Sequence, residues 1–416
     1  MSNFYHRFRA EMAAGGAVDE SVEPEATKSG AVTGVVMIAL LAWLAVANTW
    51  TFVFVVGLLV SVFLHEVGHF STARLTGMKA TQFFMGFGPR VWSRTKGEVE
   101  YGVRALPLGA FVRIIGMNNI DEVDPEDEPR AYRSQSYPKR MLVITAGSLM
   151  HMVIAFVLFF GVYATAGREQ STGVATIRGL DEVSGPAAKA GLKNGDLLLS
   201  INGEKVTTYD SVVAAITAHS PGDDIAVEYQ RGDEASQTAT VTLAQHPNDE
   251  SRAYLGVFAD DWGWKQLNPI VAAGRAVGDI GDTIGASVTG VATALNPMNS
   301  IRHLTGEDTS LETRPTTVVG VSQVGGVVGE SDGLKGVLLL LASVNVFVGI
   351  FNMFPLLPFD GGHAAIATYE RIRSRKGHAA YRADINKMVP VATVVVGLLG
   401  LLLVTGLWLD ITQPLG

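Results

Sequence analysis

Four runs of the chain pass more than twenty residues without an Asp, Glu, Lys or Arg: Ala31–Leu64, Leu142–Ala166, Gly336–Phe359 and Met388–Leu409. A helix needs about 20 apolar residues to cross a bilayer, and within that layer only helices and closed barrels satisfy their own backbone. The runs predict a polytopic α-helical membrane protein with four core transmembrane helices, against a soluble fold with buried core helices. The first run is too long for one crossing: its 34 residues would reach about 51 Å as a helix, against a hydrocarbon core of about 30 Å. Either the excess projects from the membrane, or a turn within Ala45–Trp50 (AVANTW) divides the run; we read the turn, and with it a fifth, N-terminal span. Residues 1–30 are polar and mixed in charge, without a signal peptide's cleavage pattern, and read as a flexible tail.

Lys and Arg gather in two of the connecting segments, Arg74–Arg140 and Arg371–Lys387. The positive-inside rule places both in the cytoplasm, which leaves Arg168–Lys335 outside. The chain has no cysteine, so disulfides and thiolate metal sites are excluded and any metal falls to His, Asp or Glu. A net charge of −8 and the lack of a basic run interleaved with aromatics exclude nucleic acid as a partner.

The first run ends in FLHEVGHF, where two histidines and a glutamate stand at membrane depth. A charge at the centre of a spanning helix costs about 2.5 to 3.5 kcal/mol on insertion scales, so it needs a partner. On a helix His65 and His69, at i and i+4, share one face and can ligate one Zn²⁺, while Glu66 points about 100° away. This is H-E-x-x-H, in which the metal lowers the pKa of a water and the glutamate serves as general base. A catalytic zinc takes a third protein ligand. The acidic residue that abuts a span at matching depth is Asp360, in FNMFPLLPFDGGH, where Pro355 and Pro358 break the helix and Gly361–Gly362 permit a sharp turn. His363 is a rival ligand, or else a solvated or a loop-supporting histidine.

With these motifs the chain resembles the site-2 protease family of intramembrane zinc metalloproteases, in its bacterial RseP-like branch. The resemblance runs from Val62 to about Leu409 through HEVGHF, GFGPRVWSRTKGEVEYGVRALPLGAFVRIIGM, AGSLMH and NMFPLLPFDGG. It implies His65, His69 and Asp360 as zinc ligands, Glu66 as base and Asn352 as a substrate contact. It further implies a bacterial cell-membrane enzyme with its active site toward the cytoplasm. The substrate would be a single-span protein such as an anti-sigma factor, cut second in regulated intramembrane proteolysis. Two positions depart from the family pattern: A-G-P-x-x-N is here Ala146, Gly147, Ser148, Leu149, Met150, His151, and Ala110 replaces a glycine. His151 reads as an interhelical hydrogen-bonding residue in the asparagine's place.

Five segments follow: the tail, 1–30; a first membrane part, 31–166; a soluble domain, 171–260; amphipathic interfacial helices and a linker, 261–335; and the last two spans, 336–416. Within the first membrane part, Thr81–Met117 alternates as strands joined by RTKGEVE, a membrane-associated β-hairpin that in the family re-enters the bilayer. Asp121–Pro129 reads as a solvated acidic loop. SGPAAKAGLKNGDLLLSINGEKV, Ser184–Val206, resembles an α+β PDZ domain, a module that adds an extended peptide to a sheet edge. Asn268–Pro297 has helical apolar periodicity and either lies on the membrane or packs under that domain. A membrane-tethered PDZ scaffold and a metal transporter are the rival functions; intact Glu66 and Asp360 oppose the first, and the single clustered site opposes the second.

Overall fold

The computed structural model describes residues 28–117, 121–181, 185–294, 296–374, 381–384 and 387–415. The tail expected over 1–30 therefore lies outside the described residues up to position 27. The long first run is two helices, α1 (Lys28–Ala47) and α2 (Thr49–Leu75). The break is Asn48, inside AVANTW: its backbone is extended, and its side chain caps α2 by accepting the Thr51 N–H at 2.8 Å. The apolar part of α1, Val32–Ala47, is shorter than the four helices long enough to cross a membrane. Those four are α2, α3 (Tyr137–Thr165), a helix over Val318–Asn352 and one over Val389–Thr412.

Between α2 and α3 stand β1 (Ala80–Lys96) and β2 (Val99–Ile114). The expected hairpin is folded back on itself. Residues at the start of β1 pair on both sides, Phe83 with Val112 and Tyr101, Phe84 with Phe111 and Gly102. Four segments result, in the order 106–114, 80–87, 99–103, 90–96, the central pair running parallel and the two outer pairs antiparallel. The bend in β1 falls at Gly86 and Gly88, whose φ values of 92° and 79° suit glycine alone at low cost. Arg104 secures it, donating to Gly88 O at 3.0 Å and lying over the Phe84 ring. The segment 106–114 is left as a sheet edge.

The acidic stretch 121–129 is solvated at Glu122, Asp124 and Glu126, as its composition suggests, but its other three acids are bound. Glu128 is gripped by the Arg133 guanidinium at 2.9 and 2.6 Å, Asp127 by Lys79 at 2.5 Å, and Asp121 accepts the Gly116 N–H at 2.6 Å. Hydrogen bonds from Arg133 and Ser134 hold the Glu128 carboxyl down at about 2. Asp121 and Asp127 thus fasten the loop to residues flanking the sheet beside it.

Residues 162–272 form a separate compact unit. Its strands are β3 (Arg168–Leu180), β4 (Leu197–Ile201), β5 (Glu204–Lys205), β6 (Asp224–Gln230), β7 (Gln237–Thr242), β8 (Ala244–His246), β9 (Asp249–Tyr254) and β10 (Val257–Lys265). The main sheet runs β10-β3-β4-β6-β7, with β5 on β4 and a separate β8-β9 pair. Two short helices, α4 (Pro186–Lys189) and α5 (Tyr209–Thr217), accompany it, and Ile177, Leu198, Ile225 and Val227 are buried in its core.

After α6 (Pro269–Ala294) and α7 (Pro297–Thr305), the third spanning helix, α8 (Val318–Asn352), starts well before the charge-free run does. It continues through Glu330, Asp332 and Lys335 by way of Gly333, which leaves helical geometry at φ 64°. Its first half carries glycines against α2: a Cβ at Gly325 would strike the Phe54 ring, and one at Gly329 the Trp50 ring. Backbones that close need small residues, which is why a glycine-rich stretch that reads as linker packs as a helix. α8 ends at Asn352, and after a short non-helical loop α9 (Asp360–Arg373) begins. The last helix, α10 (Val389–Thr412), brings Asp410 back to the start of α8. There the buried carboxylate accepts from Thr317 N at 2.8 Å, Thr317 Oγ1 at 2.7 Å and Gly320 N at 3.0 Å, as an anion suits a helix N-terminus.

Candidate metal centre

Two glycines bring α3 against the histidine helix. A Cβ at Gly68 would sit 2.8 Å from Ala146 O, and one at Gly147 would run into both imidazoles. The close crossing lets His69 Nδ1 donate to Val143 O at 2.8 Å, which fixes its tautomer and leaves Nε2 as a lone pair. From the other direction, α9 presents Asp360 in its first turn. Gly361 and Gly362 lie in that helix rather than in a turn, and they let the preceding loop pack on it: a Cβ at Gly362 would lie 2.6 Å from Leu356 C and Leu357 N.

The structure brings His65, His69 and Asp360 together. His65 Nε2 and His69 Nε2 are 3.0 Å apart, and Asp360 Oδ2 lies 3.4 and 3.3 Å from them. Ligands about 2.0 to 2.2 Å from a tetrahedral metal stand about 3.3 to 3.6 Å from one another; the two Asp360 edges match that and the histidine–histidine edge is slightly shorter, so this triangle is close in size to one face of such a site. Asp360 Oδ2 is buried and has no hydrogen-bond partner among the described residues. An orphaned carboxylate oxygen facing two imidazole nitrogens suits a divalent cation, and two nitrogens with one oxygen suit zinc.

Glu66 lines a pocket with His69, Asp360 and His363, whose remaining wall is apolar and includes Phe111, Val112 and Val143. Ala110, Phe111, Val112 and Ile114 of the sheet edge 106–114 line the same pocket, so that edge borders Glu66. His363 is neither solvated nor part of the triangle: it is 5% exposed, because the first turn of α9 faces inward, and its Nε2 meets no partner among the described residues. Asn352, the last residue of α8, is half-buried and is not among the side chains lining this pocket.

Residues 53–397 match Peptidase family M50. The chain belongs to this family. Zinc metalloprotease Rip1 of Mycolicibacterium smegmatis is 33% identical over 398 residues, covering 87% of this chain and 97% of that protein. Rip1 of Mycobacterium tuberculosis is 32% identical over 402 residues with the same coverage, and a putative zinc metalloprotease of Clostridium perfringens is 26% identical over 325 residues, 78% of this chain and 89% of its own. A PDZ domain of an SdrC-like protein from Listeria monocytogenes is 20% identical over 22% of this chain and 90% of that chain, with a TM-score of 0.19. This M50 protein is a zinc metalloendopeptidase of the site-2 protease type, and zinc is its cofactor.

Two polar residues near the M50 site escaped sequence reasoning: Ser61 and Asn345. Ser61 stands four residues before His65, and Asn345 seven before Asn352, each inside an uncharged run. Polar side chains in spanning helices face partners rather than lipid, and that signal was there to be used.

Proposed function

We propose that this protease cuts peptide bonds within transmembrane segments of single-span membrane proteins, with His65, His69 and Asp360 holding zinc and Glu66 as general base. The observation that supports it most is the tetrahedral-sized triangle opening on the pocket that Glu66 lines. Zinc, when bound there, polarises the scissile carbonyl and acidifies a water. Glu66 takes that water's proton as its oxygen adds to the carbonyl carbon, and returns it to the leaving amine as the C–N bond breaks. The apolar pocket wall keeps bulk water from the reacting groups. An extended substrate segment pairs with the sheet edge 106–114, whose main chain gives affinity without sequence preference. Asn352 stands as a further substrate contact on resemblance alone.

The reading also takes the basic connecting segments as cytoplasmic, the pocket as opening to that side, and the 162–272 unit as a PDZ-like module outside. An anti-sigma factor already shortened by another protease is the expected kind of substrate. Purified enzyme and a tagged single-span substrate test the chemistry. Glu66→Gln should keep zinc and lose cleavage, while His65→Ala, His69→Ala and Asp360→Ala should lose both. Full proteolysis by the Glu66→Gln protein refutes the mechanism.

A further inference from the structure

The two histidines of the triangle are not supported alike. His69 gives its second nitrogen to Val143 O, whereas Nδ1 of His65 is buried without a partner among the described residues. Histidines that ligate a metal almost always donate that second N–H to an acceptor. The neighbouring ring is His151 on α3, 1% exposed, with its centroid 5.0 Å from that of His65.

Hydrogen-bond direction around His151 can be followed atom by atom. The Ser61 hydroxyl donates to Gly57 O at 2.9 Å, so its oxygen is free to accept. Asn345, fully buried on α8, points Nδ2 at Ser61 Oγ at 3.1 Å and at Leu341 O at 2.8 Å, both acceptors. The amide is thereby oriented, and Oδ1 is the atom that faces His151 Nδ1 at 2.8 Å. A carbonyl oxygen only accepts, so His151 carries its proton on Nδ1 and a lone pair on Nε2.

We propose that His151 is a positioning residue for the metal: with zinc held at the triangle, a small turn of the His65 ring brings its Nδ1–H onto His151 Nε2, a bond not made in this structure, and aims the His65 Nε2 lone pair into the triangle. The chain then runs in one sense from Gly57 O through Ser61, Asn345 and His151 to His65, and joins α2, α3 and α8 at the ligand. The family's asparagine at this position, with a side-chain carbonyl, would supply the same acceptor by other means. This inference rests on His65 being a zinc ligand.

The test is zinc affinity of the full-length protein, by competition with a chelator of known strength, beside thermal unfolding of the metal-free form. His151→Leu should weaken zinc about 10- to 100-fold, as loss of such outer partners does. His151→Asn should bind zinc close to wild type. Since His151→Leu strands the buried Asn345 oxygen and can fail to fold for that reason, His151→Leu/Asn345→Leu removes both partners and should fold yet show the same zinc loss. Wild-type zinc affinity in a folded Leu variant overturns the proposal, and so does a His151→Asn protein as weak as the Leu variants. His65→Ala serves as control: if it binds zinc like wild type, the ligand assignment itself fails, and the two failures are told apart.

Discussion

Replacing Gly147 by alanine sets two effects of opposite sign against each other. In an ordinary helix interior the change stabilises by about 1 kcal/mol, because glycine has more backbone freedom to lose. Here the added methyl would overlap Cε1 and Nε2 of His65 and Nε2 of His69. Restoring ordinary contact requires the rings to retreat by about 1 Å, whereas metal–ligand distances tolerate about 0.2 Å. Without metal the imidazoles can swing aside; with metal they cannot. The expected result is a folded protein whose stabilisation by zinc is much reduced. At zinc 1,000-fold above its Kd the wild type gains about 4 kcal/mol, and a variant bound 100-fold more weakly gains about 1.4 kcal/mol at the same concentration. Thermal unfolding with and without zinc reads this difference, metal content per chain checks it, and turnover should fall about 100-fold or more. Gly147→Ala with the full zinc-induced shift and wild-type turnover would refute the close-crossing account.

Arg140 and Glu370, both buried and 2.8 Å apart, join the start of α3 to the helix that carries Asp360. Glu370→Ala should cost about 3 to 5 kcal/mol in thermal unfolding by stranding the arginine, while Arg140→Leu/Glu370→Leu should recover much of it. In the 162–272 unit Asp196 is buried, which alone raises its pKa, but the Arg231 guanidinium at 2.8 Å and the Lys193 N–H outweigh burial and hold it below the usual range. A depressed carboxyl stabilises above its unfolded value of about 3.9 and loses that contribution as pH falls through the folded one. Acid titration followed by tryptophan fluorescence should therefore show the unit destabilised below about pH 4, and Asp196→Asn should flatten that dependence.

Local chemistry was legible where it was dense. H-E-x-x-H in an uncharged run and an acid beside a proline-broken helix end predicted a cluster, because isolated charges at membrane depth are too costly to be incidental. The boundaries of α8 were not legible from charge, since Glu330, Asp332 and Lys335 interrupt the run while the backbone continues past Gly333. The doubling of the hairpin was hidden as well. Alternation along Thr81–Met117 records which residues are strand, but the choice of neighbours depends on the bend at Gly86 and Gly88 and on Arg104. His363 was misjudged because one residue's solvent exposure depends on helices hundreds of positions away.

The triangle draws two corners from residues 65 and 69 and the third from residue 360. During synthesis the H-E-x-x-H helix enters the bilayer with close to three hundred residues still to be made before Asp360, and it waits there with two imidazoles and without the carboxylate that completes the triangle. Two histidines alone hold zinc loosely compared with a completed site. On the proposed ligand set, the enzyme has no competent centre while its own later helices, themselves hydrophobic segments in transit, are being inserted beside it. Competence arrives late, when α8 docks on α2 and α9 delivers Asp360, so a truncated chain would carry the signature motif and cut nothing.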